Sequence, residues 1–275
     1  MRICLSPGVR LIALIAVFTP ILRAQPAAVQ PAAPPTTGQA YETRTVRVPG
    51  TTVSFDLVRV TLPSNADEAV EGGTSTIWVL TTEVPWELYD IFVYRLDQPE
   101  GEPADGIARP SKPYVPPDRG FGHQGYPAMG MTRSAAEGFC HWLNEKTGLG
   151  FRLPTAAEWT AFATPAVPTA WTEETAEHTT HPVAQHPANA HGLYDTLGNV
   201  AEWVMSDDRR PIALGGSYRD PADACRPDSS QQQARSWNAS DPQIPKSRWW
   251  LADCSWVGFR FVTDQDIPQE NTDGE

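Results

Sequence analysis

The residues of this chain that are best suited to covalent or metal chemistry are its cysteines. The 275-residue sequence contains four of them. Cys4 precedes an apolar N-terminal run, which leaves Cys140, Cys225 and Cys254 in the rest of the chain. A thiol can serve as a soft metal ligand, a nucleophile or one half of a disulfide. If the chain is exported, an oxidising compartment favours one disulfide and one leftover thiol.

Four histidines form the other dense group of potential ligands: His178, His181, His186 and His191. Their segment contains proline and lacks helical spacing, so no single helix face would present them together. The pattern favours a solvated loop over a metal centre.

The first 40 residues predict export followed by a linker. Residues 11–22 form an apolar run behind a basic start, and Ala24 is a plausible cleavage point, so residues 1–24 are interpreted as a signal peptide. An uncleaved anchor is the alternative, although the run is short for a bilayer and Pro20 interrupts it. Residues 25–40 are rich in Pro and Ala and indicate an extended linker. The expected location is the periplasm, the cell surface or the medium.

The remaining sequence is long enough for one domain with a substantial core, which we place at residues 41–263. Residues 264–275 are acidic and polar, and predict a flexible tail. The formal net charge is -12. This charge argues against nucleic acid and anionic membranes as partners, so we expect no membrane association after signal cleavage.

Alternating apolar and polar residues predict strands, whereas proline and apolar spacing predict short helices. A long, irregular loop region is expected over residues 97–127 because it is rich in Pro and Gly. The predicted strands are 43–48, 52–62, 76–80, 201–204, 212–214 and 257–262, and two predicted helices are 86–96 and 154–162. The composition therefore indicates an α+β fold with few helices and much loop.

The clearest helix is predicted over residues 132–147. Thr132 is a suitable N-cap, Ser134 with Glu137 resembles a capping box, and Gly148 is a suitable end. Cys140 falls on the apolar face of this helix, which favours a buried thiol over a reactive one.

Four segments, taken in their order along the chain, resemble the sulfatase-modifying-factor family, whose named enzyme is the formylglycine-generating enzyme. The segments are Glu83–Tyr89; Ala135–Leu143 with Phe151–Trp159; Gly192–Trp203; and Leu214–Tyr218 with Gly258–Arg260. The resemblance implies a C-type-lectin-like, formylglycine-generating-enzyme-like α+β fold that is loop-rich, with short strands and few helices. Most matched residues have structural explanations: an Arg152–Glu158 ion pair is expected, and Trp142, Trp159 and Trp203 are expected in the core.

The resemblance also implies where catalysis would occur. Formylglycine-generating enzymes use a copper site made by two cysteines shortly after Gly-Gly-Ser. Here Asp220 takes the place of the first cysteine and Cys225 takes the second, while Ser217 matches a position that lines the active centre. Thiolates are soft ligands that suit Cu(I), so a Cys–Asp pair should bind copper much more weakly.

Cys254 leaves three alternatives open for Cys225. A Cys225–Cys254 disulfide would close a loop of about 30 residues and stabilise the domain by about 3 kcal/mol in the chain-entropy model. Alternatively, Cys254 replaces the missing copper ligand, or both thiols are free without a metal.

Asn199 and Glu202 match part of a calcium site in the family. Oxygen ligands suit Ca²⁺, but both side chains could equally bind the loop backbone.

Three functions follow as hypotheses. The first is a peptide- or protein-binding module without the family's cysteine oxidation, and the second is a copper-dependent oxidase that uses Cys225 and Cys254. The third is a glycan- or cell-wall-binding protein that uses exposed tryptophans, for which the candidates are Trp237, Trp249, Trp250 and Trp256.

Overall fold

A computed structural model describes residues 41–63, 74–99, 108–110, 116–163, 169–206 and 211–269. The predicted signal peptide, the linker and the end of the acidic tail lie outside these residues. No helix in the described ranges is long and apolar enough to cross a bilayer. The strands are β1 (Thr43–Arg47), β2 (Ser54–Pro63), β3 (Thr74–Leu80), β4 (Ala201–Val204), β5 (Ile212–Leu214), β6 (Ser230–Gln232), β7 (Val257–Phe259) and β8 (Val262–Thr263). The α-helices are α1 (Trp86–Tyr94), α2 (Arg133–Thr147) and α3 (Ala156–Phe162), and a 3-10 helix spans Arg235–Asn238.

Two four-stranded sheets organise these elements. The first has the order β1-β2-β3-β8 and is antiparallel throughout. The second has the order β6-β5-β4-β7, in which β4 and β7 are parallel and the other pairs are antiparallel. This arrangement of short strands, few helices and long connections confirms the loop-rich α+β fold expected from the sequence.

The single strand predicted over residues 257–262 is two strands in the structure. β7 joins the second sheet and β8 joins the first, so the chain passes from one sheet to the other at Arg260 and Phe261. The sequence does not reveal this break, because the apolar residues on both sides of Arg260 are all buried. Both sheets therefore depend on this short C-terminal stretch.

The predicted caps of α2 are confirmed at both ends. The Thr132 hydroxyl accepts a hydrogen bond from the Ala135 backbone N–H, and Gly148 ends the helix at a φ of 72°. The expected capping box at Ser134 is wrong, however, because it is Thr132 that caps the helix. The chain forms its capping box at α3 instead, where Thr155 and Glu158 exchange side-chain and backbone hydrogen bonds.

Aromatic side chains fill the core between the sheets and helices. Phe139 of α2 contacts Tyr89 and Phe92 of α1 as well as Phe259 of β7, with ring centroids 5.4–5.8 Å apart. The expected burial of Cys140 and of the three motif tryptophans is confirmed: Cys140, Trp142, Trp159 and Trp203 are all at most 3% exposed.

The start of the predicted tail packs against the domain. Asp264 pairs with Arg152, which also binds Glu158 at 2.7 Å and so confirms that predicted ion pair. Ile267 is buried. Residues 264–269 thus add to the domain, and the remaining tail lies outside the described residues.

Candidate functional site

The Gly-Gly-Ser turn follows β5 and holds the backbone close to a thiol. Gly216 has a φ of 71°, which side-chain-bearing residues rarely adopt, and a Cβ there would lie 2.7 Å from Cys225 Sγ. Gly216 therefore permits both the turn and the approach of Cys225. Ser217, Asp220 and Cys225, which we call the turn cluster, are brought together as the sequence predicted.

The Asp220 carboxylate is held by three donors. Its Oδ2 accepts hydrogen bonds from the Ser217 backbone N–H at 2.9 Å, from the Ser217 hydroxyl at 2.7 Å and from Gln231 Nε2 at 2.7 Å. The orientation of the Gln231 amide is fixed in turn, since its Oε1 accepts from Trp256 Nε1 at 2.9 Å. The carboxylate is thus anchored between the turn and the edge strand β6.

Cys225 is a buried, protonated thiol in this setting. Its sulfur lies 3.7 Å from the Ser217 carbonyl oxygen and 3.8 Å from that of Asp220, so the S–H group can donate to both. Burial, followed by the negative charge of Asp220, raises the pKa of Cys225 to about 12. Near neutral pH the side chain is therefore a weak nucleophile and a weak metal ligand.

Cys254 is also a free, buried thiol. Burial raises its pKa to about 12, against the partial offset of a hydrogen bond with the Trp256 backbone. All three cysteines in the described part of the chain, including Cys140, are free. The predicted Cys225–Cys254 disulfide is therefore not present in the structure.

Aromatic and charged side chains surround the turn cluster. The Tyr218 hydroxyl lies 2.9 Å from Ser255 Oγ, and the Phe121 ring packs on the Tyr218 ring at 5.6 Å. Arg219 is exposed, and its guanidinium carbon lies 4.0 Å from the centroid of the Trp256 ring. The surface beside Asp220 thus combines a carboxylate, a cation and aromatic rings.

The tryptophans suggested for glycan binding mostly face inwards. Trp237 and Trp249 are each only 8% exposed. Trp250 and Trp256 are partly buried and pack against the main core, and Arg219 covers one face of Trp256. Glycan binding through these rings stays a prediction, with Trp250 and Trp256 as its more accessible members.

The histidine segment forms a folded loop. The His181 ring stacks on Trp171 with centroids 3.6 Å apart and an interplanar angle of 9°, and His186 lies 4.4 Å from the same ring. In the described ranges, no three or more His, Cys, Asp or Glu side chains form a group suited to a metal ion. The two histidines instead cover a tryptophan.

Comparison with known proteins places this architecture in a family. Residues 32–264 match the sulfatase-modifying factor enzyme 1-like domain. The chain belongs to this family. The match covers most of the sequence and all the elements described above, so the resemblance seen in the four motif segments is confirmed.

Individual relatives match a part of this chain or its fold alone. The serine/threonine-protein kinase pkn1 of Chlamydia pneumoniae is 37% identical over 96 residues, and that of Chlamydia caviae is 35% identical over 92 residues. These stretches cover 30% of this chain and only 14% of either kinase. Variable protein 1 of Treponema denticola has a similar fold, with a TM-score of 0.54 at 20% identity over 81% of this chain and 99% of that one.

The turn cluster does not fit the two-thiolate copper site that the family resemblance implies. At the first ligand position the Asp220 carboxylate is engaged by three internal donors. At the second, the Cys225 thiol has a raised pKa and donates to backbone carbonyls. Cu(I) prefers soft thiolates, whereas a carboxylate is a hard ligand.

Asn199 and Glu202, the residues suggested for calcium, lie in a sealed polar network. Glu202 accepts from Trp159 Nε1 at 2.7 Å and from the Arg260 guanidinium at 2.8 Å. Asn199 accepts from the His181 backbone N–H and donates to Glu83 at 2.8 Å. A calcium ion bound by these two side chains would have to displace those partners.

The sequence motifs contained two members of this buried network whose roles were not recognised. Arg260 is fully buried and donates to Glu202 and to the backbone carbonyls of Leu80 and Tyr194. Glu83 is also fully buried, and burial, with the negative charges of Asp195 and Glu202, raises its pKa well above the usual range. The signal that could have identified these two residues is a charged residue within an otherwise apolar motif segment.

Proposed function

We propose that this protein is an exported, non-oxidising member of its family that binds a peptide or protein segment beside the turn cluster. The observation that carries the proposal is Asp220. Its carboxylate takes the place of a copper ligand, is fixed by Ser217 and Gln231, and remains partly exposed. A fixed carboxylate recognises a partner but does not supply the soft metal ligand that cysteine oxidation would require.

The surface around Asp220 indicates the kind of segment it would take. The partly exposed Phe121 and Trp256 rings offer aromatic surface, and the Asp220 carboxylate favours a basic side chain. The exposed Glu174 accepts from the Ala222 N–H close by and adds negative charge. We therefore expect a ligand segment that combines an apolar or aromatic residue with Lys or Arg.

Copper titration tests the non-oxidising part of the proposal. Wild-type protein should show no stoichiometric Cu(I) binding and no conversion of a cysteine peptide to an aldehyde. Asp220→Cys should increase Cu(I) affinity, because it restores a second thiol at the family's first ligand position. Asp220→Cys combined with Cys225→Ala is the matched control and should lose that gain. Tight binding by the wild type would overturn the proposal.

Peptide display tests the binding part. Peptides selected on the wild type should lose affinity for Asp220→Lys, because this variant reverses the charge on the ligand-facing carboxylate. Asp228→Lys is the control, since Asp228 is exposed and pairs only with Arg226 among the described residues. If no peptide distinguishes Asp220→Lys from the control, the turn cluster is not the binding site.

The copper oxidase remains a second candidate because Cys225 and Cys254 are both free thiols and not a disulfide. In that case Cu(I) binding by the wild type would disappear in Cys254→Ala as well as in Cys225→Ala. Binding that survives Cys254→Ala would exclude this pair of ligands.

A further inference from the structure

His123 bridges two carboxylates that belong to different parts of the fold. Its Nε2 lies 2.7 Å from Asp90 Oδ2 on α1, and its Nδ1 lies 2.7 Å from Asp118 Oδ2 in its own loop. Both aspartate side chains are only 16% exposed, and the imidazole is 38% exposed. The ring also stacks on Trp86 with an interplanar angle of 9°.

This geometry depends on the charge of the ring. A neutral imidazole has one N–H donor and one lone pair, whereas the imidazolium donates from both nitrogens. With two carboxylates at hydrogen-bond distance, the neutral ring would set one lone pair against a carboxylate oxygen. While both aspartates are ionised, only protonated His123 completes the bonds to Asp90 and Asp118.

The bridge fixes one side of the loop formed by residues 116–126. On the α1 side, Glu87 accepts a hydrogen bond from the Gly125 N–H, and the Trp86 N–H donates to the Tyr126 carbonyl at 3.0 Å. Inside the loop, Asp118 accepts from the Gly120 N–H at 2.9 Å. Asp90 and Asp118 thus place two carboxylates on one imidazole, while Glu87 holds the same loop at Gly125.

The other side of this loop meets the turn cluster. Phe121 packs on Tyr218, the residue directly after Ser217, and its carbonyl accepts from the Thr180 hydroxyl at 2.6 Å. Arg119 donates to the carbonyls of Leu251 and Ala252. Residues 116–126 therefore connect α1 to the aromatic surface beside Asp220.

We propose that His123 is a proton-operated latch that holds the 116–126 loop against α1 when charged and releases it when neutral. Release would loosen Phe121 from Tyr218, so the surface beside the turn cluster would change with pH. The latch acts on the loop whether or not this surface binds a peptide.

The titratable groups that face the ring set the direction of the switch. Partial burial alone would lower the pKa of His123, but the bonds and charges of Asp90 and Asp118 outweigh it and raise the pKa above its ordinary value of about 6.5. Burial raises the pKa of Asp90, which the contact with His123 only partly offsets. Tyr94 on α1 responds to the same two aspartates, and its pKa is raised by burial and by their charges.

The sign of the effect follows from this direction. Because folding raises the pKa of His123, the stabilisation is complete below the unfolded value of about 6.5 and is lost as the pH rises through the folded value. The closed loop is thus the acidic and near-neutral form, and the open loop is the alkaline form.

Hydrogen exchange of residues 116–126 across this pH range tests the latch. After correction for intrinsic exchange, protection should fall by about tenfold or more at high pH, the factor expected for loss of one charge-assisted hydrogen bond. His123→Gln should show weak protection that does not change with pH. His141→Gln is the matched control, because His141 is a 78% exposed histidine on α2 and its loss should leave the pH dependence intact.

A second variant keeps the test decisive if His123→Gln folds poorly. Histidine NMR should show a raised pKa for His123 in the wild type and a lower one in Asp118→Asn. An unchanged pKa in Asp118→Asn, or wild-type pH dependence of loop protection in His123→Gln, would overturn the latch.

Discussion

Two polar regions of this molecule differ in their exposure to solvent and in the sequence range of their contacts. The network of Glu83, Asn199, Glu202 and Arg260 is sealed, and each of these side chains is at most 1% exposed. The turn cluster reaches the surface through Asp220, which is partly exposed beside the exposed Arg219, whereas Ser217 and Cys225 are buried beneath it. The sealed network joins parts of the chain that are far apart in sequence, whereas the turn cluster is held by local bonds and one edge strand.

The difference indicates which motif residues maintain the fold and which can change function. Replacing a charged member of the sealed network leaves its partner buried without a counter-charge, which lowers the free energy of unfolding by roughly several kcal/mol. Replacing a residue of the turn cluster alters recognition or metal affinity while the sheets keep their partners. Asp220 in place of a cysteine is a change of the second kind.

The largest expected effect is on the sealed network. Arg260→Met should lower the free energy of unfolding by about 3–5 kcal/mol, because it leaves Glu202 buried without its cation. Urea denaturation followed by circular dichroism measures the loss. Adding Glu202→Gln should recover part of it, and a single-variant loss below about 1 kcal/mol would remove the distinction between the two regions.

The turn cluster should give a smaller loss. Asp220→Ala should cost about 1–3 kcal/mol, because the buried Ser217 N–H and hydroxyl lose their acceptor. Gln231→Ala should cost about 1 kcal/mol. The two should be non-additive in a double-mutant cycle since they share one contact. Additive losses would contradict the anchored carboxylate, and exposed Gln124→Ala serves as the control.

We expect burial of the Cys225 thiol to make the stability of the protein depend on pH in the alkaline range. Folding raises its pKa to about 12, so its contribution to stability is complete below the unfolded value of about 8.5 and is lost as the pH rises through the folded value. Cys225→Ser should show a shallower alkaline loss of stability than the wild type. Identical pH profiles between pH 8 and 10 would place the thiol in a more polar setting than the structure shows.

The smallest expected effect is that of calcium. Asn199 and Glu202 already bind His181, Glu83, Trp159 and Arg260, so we expect the melting temperature to be equal in excess Ca²⁺ and in chelator. Differential scanning calorimetry makes the comparison. A clear rise in the melting temperature with Ca²⁺ would show that the sealed network can open to bind a metal ion.

The sequence correctly predicted features that depend on residues close together in the chain, such as helix ends and a short-range ion pair. Thr132 and Gly148 mark the ends of α2, and Arg152 lies close enough to Glu158 for an ion pair once α3 forms. β6 was missed because Ser230–Gln232 is polar and partly exposed, with no alternation to reveal an edge strand. Edge strands on a half-solvated sheet carry little hydrophobic signal.

The family resemblance suggested Ser217, Asp220 and Cys225 as site residues, and their role in binding or catalysis stays a prediction. The structure shows their contacts, and nothing in the sequence pointed to Gln231 as the donor that fixes Asp220. The Cys225–Cys254 disulfide, one of three alternatives that the sequence left open, is not formed in the structure; a bridge requires close, correctly oriented thiols, and separation along the chain specifies neither. The His123 bridge likewise depends on where α1 and the 116–126 loop meet.

The division of the C-terminal stretch between the two sheets bears on how the chain folds. β7 completes one sheet and β8 the other, and Arg260 between them bonds to Leu80, 180 residues earlier. Contacts of such sequence separation form slowly, because a large loop must close before they stabilise anything. A nascent chain therefore lacks a strand of each sheet until residues 257–263 are synthesised, and a product truncated before Val257 should be recognised by chaperones and proteases as unfolded.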